Sequence, residues 1–96
     1  MDPAKAFVAL IVLALGSFGG GVLAGGVALA TDVLVEEAVE NIGLVSVGLA
    51  AFFLAIVVVI SVKDSIDELL SIHTISAFIS WIAFSIGMIT VGASPI

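Results

Sequence analysis

Three long apolar runs, separated by two short charged ones, organise the chain. Residues 6–31 are 26 positions without a charge, residues 41–62 are 22 more, and residues 69–96 are interrupted only by His73. At ~1.5 Å per helical residue, each run can cross a hydrocarbon core ~30 Å thick. Residues 32–40 hold four acids between the first two runs, and residues 63–68 hold one lysine and three acids between the last two. The pattern predicts an all-α, membrane-type unit of three apolar helices, the last two forming an antiparallel hairpin. Its expected bounds are a helix over 3–31, an acidic connection over 32–40 opening a helix that runs to 62, a bend at 63–64, and a helix over 65–93.

Helix-end chemistry supports those bounds. Pro3 suits a first helical turn, where its missing N–H costs nothing. Asp32 can cap the second helix, with Glu36 and Glu37 near the positive end of its dipole. Ser65-Ile66-Asp67-Glu68 reads as a capping box, in which the serine accepts the Glu68 N–H and the glutamate reaches back. Lys63-Asp64 then forms a very short bend, which forces its two flanking helices to run antiparallel. Pro95 ends the last helix.

Composition narrows the function classes. Of the 96 residues 62% are hydrophobic and 10% charged, against ~45–50% and ~25% in an ordinary soluble domain. So short a chain has too little interior to hide that surface, which excludes a soluble monomeric enzyme. The absence of cysteine removes disulfides, thiolate zinc sites and thiol nucleophiles. With no arginine and two lysines in a chain of net charge −6, neutralising nucleic-acid phosphates is not its task. Ala28-Leu29-Ala30 has the small residues of a signal-peptidase site. The apolar stretch before it is far longer than the ~7–15 residues of a signal core, so the segment reads as a retained helix. Three spans place Lys5 and Lys63 on one side and the acids of 32–40 on the other, which predicts an amino terminus inside and a carboxyl terminus outside.

The helix surfaces carry small and hydroxyl residues. Gly16/Gly20 and Gly21/Gly25 have the small-xxx-small spacing that lets helix backbones approach closely in lipid. We expect Gly16, Gly20, Gly21 and Gly25 to be helix-packing positions, and self-association to run through the first helix at Gly20 and Gly21. Ser71, Thr74, Ser76, Ser80, Ser85 and Thr90 line the third helix, where hydroxyls bond back to their own helix or across to a neighbour. Trp81 lies mid-span, not at a headgroup belt, and is expected to pack on protein. Asp32, Glu36, Glu37 and Glu40 read as a solvated acidic collar, not an intramembrane relay. His73 has no second histidine or cysteine to share a metal with, so a metal centre within one chain is not expected. No catalytic constellation can be assembled, and the chain is expected not to be an enzyme.

A small, glycine-rich membrane hairpin with a tiny charged bend resembles the major pilins of conjugative type IV secretion systems, including archaeal DNA-exchange pilins. The residues that carry the resemblance are 50–62, the bend Lys63-Asp64, and the closing helix through Ile86-Gly87-Met88-Ile89-Thr90-Val91-Gly92. F-type conjugative pilins are similar there, over roughly the last half of the chain. The resemblance implies a homopolymeric helical tube at the cell membrane and in an extracellular pilus. Membrane lipid would be bound between subunits, and Lys63 and Asp64 would face a central lumen. It also implies secretion-system membrane proteins as partners and DNA in transit without specific binding. With Asp67 and Glu68 close behind, such a lumen would be near neutral to negative, so that a polyanion slides past. Two other readings fit the apolar pattern: a small accessory subunit of an energy-transducing membrane complex, and a membrane-embedded viral capsid protein or holin.

Overall fold

The computed structural model describes residues 3–64 and 71–93. They form three helices, α1 (Pro3–Ala30), α2 (Glu36–Asp64) and α3 (Ile72–Gly92). All three are long and apolar enough to cross a membrane. The unit measures 47 × 28 × 18 Å, a slab about as thin as two helices. α3 lies in the middle. It packs closely against α1 on one side and α2 on the other, while α1 and α2 scarcely touch. Residue numbers rise together along the α1–α3 contact (Ser17 with Ser80, Gly25 with Val91), so those two helices are parallel. Trp81 meets Ser46 and Gly92 meets Glu40, so α2 and α3 are antiparallel, as the charge pattern predicts.

Almost nothing apolar is hidden. Among the described residues the buried hydrophobic core is Val39 and Ala50, while Leu15, Leu23 and Val62 are each two-thirds or more exposed. Twenty-five large apolar side chains stand exposed on the three helices and the link after α1. In water those side chains would forgo the ~1.5–3 kcal/mol that burying each supplies, and a two-residue core cannot offset the conformational entropy lost on folding. The fold therefore belongs in a membrane, where those same side chains meet lipid at no such cost.

Three expected boundaries shift, each for a local reason. Asp32 does not cap α2; it closes α1. Its φ of 58° is left-handed, its N–H donates to the Leu29 carbonyl at 3.2 Å, and the Val33 N–H reaches back to Ala28 at 3.0 Å. That pair of bonds is a Schellman closure, with an aspartate where glycine is usual. α2 consequently starts at Glu36, with Glu36 and Glu37 in its first turn and the Val39 N–H donating to Val35. Lys63 and Asp64 do not form the bend: both belong to the last turn of α2. α3 does not run unbroken from 65, because Ser71 is extended (φ −65°, ψ 164°) and acts as its N-cap, accepting the Thr74 N–H at 3.4 Å. Ser65 and Glu68, the expected capping box, lie outside the described residues.

Candidate functional site

What the sequence assembles is a pair of helix–helix interfaces on opposite sides of α3. On the α1 side, backbones touch. A β-carbon on Gly21 would sit on the Phe84 carbonyl, and one on Gly87 would sit on the Phe18 carbonyl and 2.9 Å from the Val22 nitrogen. The two glycines face each other reciprocally, an arrangement in which Cα–H groups can point at carbonyl oxygens across the contact. One turn above, the Gly25 position lies 3.2 Å from Val39 and 3.5 Å from Val91. One turn below, the Ser17 and Ser80 hydroxyls are 2.9 Å apart. Ser17, Gly21 and Gly25 thus form one small-xxx-small series along the α1 face that meets α3.

On the α2 side the contact is polar at mid-span. Trp81 Nε1–H donates to Ser46 Oγ at 2.6 Å, and Ser85 Oγ lies 2.8 Å from both Ser46 Oγ and the Trp81 carbonyl. Ser85 is the donor in both, so its proton is shared between the two acceptors. Ser46 Oγ thus accepts from both the indole and Ser85, which ties α2 to two residues one turn apart on α3. The three bonds link Trp81, Ser46 and Ser85 into one network whose members polarise one another. The indole is boxed by aromatic rings, with Phe78 stacked at 6.1 Å and Phe53 tilted at 6.1 Å. Trp81 therefore packs on protein, as its mid-span position predicts. Towards the acidic end the backbones close again. A β-carbon on Gly43 would lie 2.6 Å from Ile89 and 2.9 Å from the Ser85 carbonyl, and one on Gly92 would lie 2.9 Å from the Glu36 carbonyl.

The glycines singled out in the sequence divide. Gly21 and Gly25 are buried in helix–helix contacts within the chain. A β-carbon on Gly20 would lie 3.6 Å from the Phe84 ring, an ordinary contact, and one on Gly16 would meet open space. Gly19, Gly26 and Gly48 are equally open. The hydroxyl ladder of α3 also divides. Ser76 and Thr90 bond back to Ile72 and Ile86, Ser80 reaches across to α1, and Ser85 lies within bonding distance of both its own helix and α2. Sequence reasoning missed Ser17, Ser46 and Gly43. Their signals were present: Ser17 extends the Gly21/Gly25 series by one turn, and Gly43, Ser46 and Ala50 repeat on one face of α2.

The charged residues sit at the two ends. Lys5 and Lys63 are both exposed and share one end of the bundle, and exposed Asp32, Glu36 and Glu37, with half-buried Glu40, mark the other. This is the separation that three spans impose. Lys63 projects from the last turn of α2. His73 is exposed beside a groove between α1 and α3 lined by Ala6, Leu10, Leu13 and Ser76. Among the described residues, no three histidine, aspartate or glutamate side chains come together to hold a metal ion. The chemistry this arrangement performs is cohesion: hydroxyls, an indole and bare backbone hold three helices in register within an apolar medium. No protein family, no curated protein and no solved structure matches the chain.

Proposed function

We propose that the chain is a structural membrane subunit that polymerises, the repeating unit of a lipid-associated helical tube of the conjugation-pilus type used in DNA exchange. One observation carries the structural part of this reading: polar side chains at mid-span tie helix to helix, while the large apolar side chains point outward over the three helices. A subunit built that way presents surface for lipid and for other copies of itself. The thin slab with α3 at its centre suits lateral stacking, because both broad faces are open at once. The pilus part rests on the resemblance of residues 50–62, Lys63-Asp64 and the closing helix to conjugative pilins. On this reading Lys63 and Asp64, at one end of α2, ring a lumen, and secretion-system membrane proteins extract the subunit from the bilayer.

The test is direct. Shearing cells that express the chain and imaging the released material by negative-stain microscopy, with mass spectrometry of the same fraction, should give filaments composed of this protein. Recovery of the chain solely in membranes, at fixed stoichiometry with larger subunits, would overturn the proposal in favour of an accessory role.

A further inference from the structure

We draw no further inference here: the strongest candidate, the outward apolar face of α1 that carries the open glycines Gly16, Gly19 and Gly26, is an unpartnered small-residue stripe, and nothing in the structure shows what covers it.

Discussion

The two sides of α3 solve one problem by different means. Between helices in lipid there is no hydrophobic driving force, since the tails are as apolar as the side chains, so association relies on close packing and hydrogen bonds. The α1–α3 contact relies mainly on the first. Gly21 and Gly87 bring parallel backbones together, and a single hydroxyl pair accompanies them. The α2–α3 contact leans on the second at mid-span, through Trp81, Ser46 and Ser85, and turns to glycine only near the acidic end. An interface made of shape fails when volume is added. One made of hydrogen bonds fails when a partner is taken away. Added volume is therefore the sharper probe of the α1 side, and a deleted hydroxyl the sharper probe of mid-span on the α2 side, which makes the difference measurable.

The largest expected effect is steric. Gly87→Ala would place a methyl group against the Phe18 carbonyl, and backbone cannot yield as a side-chain tip can. We expect a loss of about 3 kcal/mol, the upper part of the usual overpacking range, and a similar loss for Gly21→Ala. Denaturant unfolding in detergent, followed by the fluorescence of the single tryptophan, reads it. Wild-type stability in both variants would mean that α1 does not pack on α3 through these glycines. Next comes the polar side. Ser46→Ala removes no bulk that matters but leaves the Trp81 N–H without its acceptor. The cost should be about 1 kcal/mol, in the range measured for polar contacts between membrane helices. Trp81 emission should shift with it, because the indole loses its hydrogen bond; an unchanged spectrum would show that the bond is not made.

Smaller effects have the opposite sign. Gly16 has nothing nearby, so Gly16→Ala should stabilise the isolated subunit by about 0.5 kcal/mol through helix propensity alone. A clear destabilisation of the monomer there would erase the distinction between inner and outer glycines. Asp32→Gly should be neutral or stabilising by about 0.5 kcal/mol, because glycine accepts the left-handed backbone that closes α1 without penalty. A marked loss in thermal stability would mean that the aspartate side chain has a role beyond its backbone angle.

Three spans and their alternating direction were legible in the sequence because they depend only on where charge is absent and on how many times the chain crosses. The centrality of α3 was not. Small-xxx-small spacing marks Gly21 and Gly25 as places where a backbone can approach, but it does not name the backbone. That choice is made by matching small positions on α3, with Gly87 facing α1 and Gly92 facing α2. Helix ends misled for a related reason. Asp32 is an excellent N-cap type and also one of the few residues that enters the left-handed region, and the short link to α2 uses the second property. Ser71 caps the helix that starts at Ile72, a position that no capping-box motif marks in the sequence. The bonds of Ser46 to Trp81 and Ser85 were not legible, because those residues stand 35 and 39 positions away from it in the chain.

The central claim is that both interfaces lie within one chain, on opposite sides of α3, and the lack of cysteine allows a clean test. The Ser17 and Ser80 oxygens are 2.9 Å apart and those of Ser46 and Ser85 are 2.8 Å apart, so each pair is close enough for its cysteine replacements to be bridged. We would introduce Ser17→Cys with Ser80→Cys, and separately Ser46→Cys with Ser85→Cys, and oxidise each variant in native membranes. Both should give an intramolecular disulfide, seen as a faster-migrating monomer on non-reducing gels and as a mass lighter by two hydrogen atoms. Disulfide-linked dimers without cross-linked monomer, or no reaction at the Ser17/Ser80 pair, would contradict the account.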